Sequence, residues 1–165
     1  MPPQILIGNS IMSFSVKVDR TKKVTINNHL IGRFKFPKLQ DTGPKEFDSR
    51  EEMFLFVHPK QNKGYNITGK EVLDSLCKRK LIERCFNLQD GFSIKEKGVV
   101  FFQTVFGDIP IFLFKSAFLK SPELNKENEI VVPFLYMDSC NILRIDTRSL
   151  KEKWEWNYYT PIFSG

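Results

Sequence analysis

The segment VVFFQTVF, residues 99–106, runs through Gly107-Asp108 into IPIFLFKSAFL, residues 109–119. It carries six of the sixteen phenylalanines of the chain. Glycine supplies positive φ at the first position of a tight turn and aspartate tolerates the second, so the pair suits a hairpin. Each apolar run is far short of the roughly 20 residues that cross a bilayer, and too aromatic to face water on both sides. The segment therefore predicts a central hairpin, buried on both faces, onto which the other elements pack.

Upstream, Phe14, Val16 and Val18 alternate with Ser15, Lys17 and Asp19, the period of a half-buried strand. Arg20-Thr21-Lys22 reads as a turn, and Val24 and Ile26 open a second alternating run, so residues 12–28 predict a hairpin. A third run, Ile31 to Phe36, ends at Pro37. Residues 37–50 are rich in chain breakers and predict a loop, with a capped turn from Asp48 to Glu51. MFLFV, residues 53–57, reads as a buried strand, and residues 58–66 as a polar loop. Thr68 and Glu71 have the spacing of a capping box, and Val72, Leu73, Leu76 and Cys77 form one apolar stripe. They predict the main helix, over about residues 69–82.

Downstream of that helix, Cys85 to Leu88 reads as a short strand, Gln89-Asp90-Gly91 as a turn and Phe92 to Ile94 as the return. Ser121-Pro122 has the order of a helix start. Ile130 to Tyr136 predicts a strand in which Pro133 marks an edge or a bulge. Residues 141–146 alternate, and Trp154, Trp156 and Tyr158 alternate with Glu155, Asn157 and Tyr159, giving a last strand. A helix from Thr147, with Leu150 and Trp154 four apart, is the competing reading. The expected fold is α+β and β-rich: one domain, with a mostly antiparallel sheet or sandwich and one main helix. Within it, residues 1–36 form a basic β part, 37–66 are loop-rich, and 67–165 hold the helix and an aromatic β part.

Residues 68–106 also resemble the recognition helix and wing of winged-helix domains. The helix is followed by Lys80-Leu81-Ile82-Glu83-Arg84, then by Asp90 to Gly98, then by an apolar run. The resemblance implies a helix in the major groove, with basic side chains of helix and wing on phosphates. On that pattern Lys70, Ser75, Lys78 and Arg79 face DNA, and Lys95 and Lys97 lie on or after the wing.

The 165-residue chain has a formal net charge of +6. The excess is uneven: residues 1–50 hold nine basic and four acidic side chains, 51–100 nine and seven, and 101–165 seven and eight. A basic half fits a polyanionic partner, nucleic acid or an anionic membrane; a modest lysine excess also serves solubility. Cys77, Cys85 and Cys140 form no C-x-x-C pair and read as reduced, buried thiols of an intracellular protein. No signal peptide or transmembrane run is apparent, and Asn66-Ile67-Thr68 matches a glycosylation sequon only by its letters.

The chemistry of catalysis finds little support. His29 and His58 are the only histidines; no metal set, no phosphate-binding glycine motif and no G-x-S-x-G elbow occurs. No E-x-K triplet of the kind used by metal-dependent nucleases is present. The reading is therefore of a non-enzymatic protein without cofactor or metal. Lys17, Arg20, Lys22, Lys23, Arg33, Lys35 and Lys38 are the candidate phosphate contacts on three neighbouring strands, joined by Lys78 and Arg79 of the helix. Phe14, Phe34 and Phe36 alternate with these charges and point inward, which favours backbone contact over base stacking. The alternative is a structural, matrix-like protein that self-associates through Trp154, Trp156 and Tyr158 or sits on an anionic membrane surface.

Overall fold

A computed structural model describes residues 4–7, 10–24, 33–120, 129–155 and 157–165. The chain opens with a hairpin of β1 (Gln4–Ile7) and β2 (Ser10–Ser13). Next come β3 (Ser15–Lys17), β4 (Arg33–Phe34), a 3-10 turn at Pro37–Leu39 and β5 (Glu46–Asp48). β6 (Met53–Phe56), α1 (Pro59–Asn62), β7 (Ile67–Thr68) and α2 (Gly69–Lys78) follow. After a 3-10 turn at Ile82–Arg84 come α3 (Leu88–Lys97), α4 (Val99–Phe106) and β8 (Ile111–Phe112). Another 3-10 turn, Phe114–Ser116, leads to β9 (Phe118–Lys120), β10 (Glu129–Met137), β11 (Leu143–Ser149), β12 (Lys153–Trp154) and β13 (Thr160–Phe163).

The spine is β10, nine residues long. β11 pairs along one of its edges from Val131↔Ser149 to Met137↔Leu143. The other edge is shared: β9 takes Glu129 to Val131 and β8 takes Phe134 and Leu135, with β4 outside β9. Pro133 falls in the gap between β9 and β8. Its carbonyl accepts from Leu113 N–H at 2.9 Å. A strand residue points its N–H and C=O to the same side, so the missing donor of Pro133 faces the interruption rather than a ladder. Three smaller antiparallel pairs, β3–β5, β6–β13 and β7–β12, complete the β part.

The sheet is covered on both faces. Leu135 and Met137 of β10 pack with Leu88, Ile94, Phe101, Phe102 and Phe106 of α3 and α4, and with Phe14, Val16, Val18 and Phe47. On the other face, Val132 and Phe134 pack with Val72, Leu73 and Leu76 of α2, and with Phe56, Phe112, Phe114 and Trp154. Eleven of the sixteen phenylalanines are buried. Each fully buried one contributes roughly 1.5–3 kcal/mol relative to exposure, so these rings dominate the core.

The α+β, β-rich and largely antiparallel class holds. So do the alternation around β3, the strand at β6, the strands β10 and β11, and the capping box of α2. The expected central hairpin does not form. Residues 99–106 are α4, bounded by Gly98 at φ 97° and Gly107 at φ 68°. Val100, Gln103 and Thr104 are exposed while Phe101, Phe102 and Phe106 are buried, the alternation of a helix.

The strand–turn–strand expected over 85–94 is replaced by α3, which Asn87 and Asp90 start with a reciprocal capping box. α2 ends at Lys78 rather than near 82, closed by Lys80 at φ 57°. Residues 58–66 contain α1, capped by His58. In place of a single strand around Trp154 there are two, β12 and β13, and Thr147 lies in β11, which excludes the competing helix. The first run of the hairpin predicted over 12–28 contains β3, which pairs with β5. The second run of that hairpin, from residue 25, and the helix start at Ser121-Pro122 lie outside the described residues.

Candidate functional site

Of the strands that carry the predicted basic residues, two lie among the described residues, β3 and β4, and these do not pair with each other. β3 pairs with β5 and β4 with β9. Lys17 and Lys22 border a groove with Ser93 and Glu96 of α3, and Lys22 Nζ is 3.3 Å from Glu96 Oε1. Lys23 is exposed beside Asp41 and Gln89. Arg33 is exposed on β4, and Lys38 on the 3-10 turn that follows.

Arg20 is not a surface residue. Its Nη2 donates to Asp90 Oδ1 at 2.8 Å and to Pro44 O at 2.7 Å, and its Nη1 donates to Asn87 Oδ1 at 3.3 Å. This is one corner of a buried polar network at the start of α3. Asn87 Nδ2 donates to the carbonyls of Gln40 and Thr42, both at 3.0 Å, and Gln89 Nε2 to those of Arg20 and Lys22. Ser116 Oγ bridges Leu88 N–H and Gln40 Oε1, and Lys115 Nζ donates to Thr42 Oγ1 at 3.1 Å. Burial pushes the Asp90 carboxyl up, against the pull of Arg20, and pushes the Lys115 ammonium down. The network satisfies otherwise stranded carbonyls of residues 39–44 and fastens that loop to α3; it holds structure rather than substrate. Sequence reasoning missed it because Gln89-Asp90-Gly91 resembles a turn. The signal was present in Asn87 and Asp90, three apart, the spacing of a capping box.

A different basic surface forms at the C-terminal end of α2. Lys78, Arg79 and Lys80 are consecutive and exposed there. Burial raises the Cys77 thiol of α2, opposed by the charge of Lys35, the residue that follows β4. Among the described residues none of these four side chains is ion-paired. Arg79 Cζ lies 5.5 Å from the centre of the Phe56 ring, and Arg84 Cζ 5.8 Å from that of Phe54. The adjoining groove is lined by His58, Lys60, Glu71, Asp74, Ser75, Lys78 and Arg79. Its acids are engaged: Lys60 Nζ is 2.6 Å from Glu71 Oε1, and Lys70 Nζ 3.4 Å from Asp74 Oδ2. The hydrogen bond from Lys60 holds the Glu71 carboxyl below its usual range. Lys80, Arg84 and Phe54 are absent from the sequence-derived set. Lys80 directly follows Lys78 and Arg79 in the chain, while Arg84 and Phe54 lie too far apart in sequence for spacing to reveal their contact.

Residues 90–98, where the winged-helix resemblance expects a β-turn and wing, belong to α3 and to Gly98. Lys97-Gly98 does stand directly before a helix, α4. Of the residues carried over, Lys70, Lys95 and Lys97 are exposed and Ser75 is half-buried.

Trp154 is 2% exposed and packed among the rings of Phe112, Phe114 and Tyr158, so it is core rather than a contact surface. Tyr158 is half-buried with Arg148 over its ring. Trp156 and His29 lie outside the described residues. Cys85 is buried, whereas Cys77 and Cys140 are exposed, contrary to the expectation for all three. Among the described residues no three His, Cys, Asp or Glu side chains come together as a metal site requires, and no helix is long and apolar enough to cross a membrane. No protein-family model, curated protein or solved structure matches this chain.

Proposed function

We propose that this protein is a non-enzymatic nucleic-acid-binding protein that holds phosphates on the surface at the C-terminal end of α2. The observation that carries the reading is the exposed run of Lys78, Arg79 and Lys80, without ion-pair partners among the described residues, with Arg79 and Arg84 lying over the neighbouring rings of Phe56 and Phe54. Ion-paired cations such as Lys22 and Lys60 have already spent part of their field on a carboxylate; unpaired ones offer it to a phosphate. Lys35, Lys78 and Arg79 thus remain candidate contacts. Arg20 does not, because its guanidinium is engaged inside the protein.

The test is a titration of labelled single-stranded and duplex oligonucleotides at several salt concentrations, with anionic and neutral vesicles in parallel. Binding should weaken linearly in log–log form with salt. Lys78→Ala and Arg79→Ala should each reduce the slope by about 0.7–0.9, the loss of one phosphate contact. Lys45→Ala, which removes the same charge beside β5, should leave the slope unchanged. Binding to anionic vesicles alone, or to nothing, overturns the proposal.

A further inference from the structure

Phe54 is 42% exposed, the one exposed phenylalanine of the sixteen. Its position follows from the alternation of β6. Met53 and Leu55 turn toward the core beneath α3 and α4, and Phe54 and Phe56 turn the other way. α2 covers Phe56 and stops there, leaving the next ring on that face bare.

Two arginines frame the two rings. Arg79, at the end of α2, lies over Phe56, and Arg84, at the end of the next 3-10 turn, over Phe54. Arg84 is anchored, with its Nε donating to Phe163 O at 2.8 Å. That is the single hydrogen bond of its side chain among the described residues. Both terminal amino groups of its guanidinium therefore remain for an anion. At 5.8 Å from the ring centre, the guanidinium leaves ring area open.

An exposed ring with an anchored guanidinium over it, and a second arginine over the next ring on the same face of the strand, suits unstacked bases: the ring takes a base face and the cations take flanking phosphates. A duplex keeps its base faces inside its own stack and cannot offer one to a ring on a strand surface. Resting on the phosphate-binding reading above, we infer that the ligand is single-stranded nucleic acid, with one base stacked on Phe54 and neighbouring phosphates held by Arg84 and Arg79.

The experiment compares short labelled single strands, DNA in one arm and RNA in the other, with a duplex of the same sequence. A fluorescent base analogue reports stacking directly. The intact protein is compared with Phe54→Ala, Phe54→Leu and Phe54→Trp. Phe54→Leu keeps apolar volume at the site and removes the π face, so it serves if the alanine variant folds poorly. The single strand should bind more tightly than the duplex and quench the analogue. Phe54→Ala and Phe54→Leu should weaken it roughly 5- to 100-fold, the range for one lost base–aromatic stack, with the salt slope unchanged. Phe54→Trp should bind at least as well as the parent, and the duplex should be indifferent to all three. Duplex preference, or single-strand affinity unmoved by Phe54→Leu while Lys78→Ala weakens it, overturns the stacking inference and leaves the phosphate reading intact. Failure of both strand forms to bind at low salt overturns both.

Discussion

Arg20 and Asp90 meet inside the protein: Nη2 donates to Oδ1 at 2.8 Å, and their side chains are 8% and 0% exposed. The pair ties the turn after β3 to the first turn of α3, and Asp90 also accepts from Asn87 N–H at 2.9 Å. Removing either partner strands a charge or a set of polar groups in the interior. Arg20→Ala and Asp90→Ala are each expected to cost about 3–5 kcal/mol. The double variant should cost clearly less than the two single losses added together, because the second removal takes away the group left unpaired by the first. Urea denaturation of the four proteins measures this. Additive losses would show that the pair is not coupled.

Gly91 lies within α3, where alanine is ordinarily better than glycine by about 0.5–1 kcal/mol. Here a Cβ would stand 2.5 Å from Leu113 Cδ1, and Leu113 is fully buried. Overpacking of that kind costs roughly 1–3 kcal/mol, which outweighs the helical gain. Gly91→Ala should therefore destabilise the protein, and adding Leu113→Val should recover part of the loss. A stabilised Gly91→Ala protein in thermal or urea unfolding would show that Leu113 moves aside freely.

The same glycine explains where the sequence misleads. Gln89-Asp90-Gly91 has turn composition, yet Gly91 is needed inside a helix because Leu113 occupies the space its side chain would take. Val99 to Phe106 has β-forming composition, and packing of Phe101, Phe102 and Phe106 into the core overrides that preference. Gly98 and Gly107, both at positive φ, bound this segment as a helix instead of turning a hairpin. Local signals served well where they were sufficient, as in the Thr68–Glu71 box and the Phe14–Val16–Val18 alternation. The candidate surface was legible in part. Lys78 and Arg79 are a visible cluster, but the approach of Lys35 and the exposure of Phe54 arise from strand pairings between distant segments, which periodicity cannot reveal.

His58 caps α1, with Nδ1 accepting from Lys60 N–H at 3.1 Å, and Gln61 Oε1 answers by accepting from His58 N–H. Burial lowers the imidazole below its usual range, opposed by Glu71 and assisted by Lys60 and Arg79. A folded-state value below the unfolded one means that the stabilisation is present above the unfolded pKa, about 6.5. It is lost as the pH falls through the lowered folded value, where a protonated Nδ1 can no longer accept. Unfolding midpoints should decline from neutral pH into the acid range, and His58→Asn, which keeps a cap without a titrating ring, should flatten that part of the profile. His58→Ala should cost about 1 kcal/mol at neutral pH. An unchanged acid slope in His58→Asn would assign the decline to other groups.

The three thiols report on both the fold and the proposed surface. Cys85 is fully buried, and burial pushes its pKa up to about 12. Cys77 and Cys140 are exposed. Because the thiolate is the reacting form, a thiol reagent at mildly alkaline pH should modify two cysteines of the folded protein promptly, and Cys85 only as the protein unfolds. Cys77 carries further information, since burial raises its thiol and the charge of Lys35 opposes that rise. Lys35→Ala should slow modification of Cys77 at fixed pH and leave Cys140 unaffected. If nucleic acid occupies the surface at the end of α2, a saturating oligonucleotide should protect Cys77 and not Cys140, with the protection lost at high salt. Mass spectrometry of the modified peptides separates the two sites, and equal protection of both, or of neither, would remove Cys77 from the contact surface.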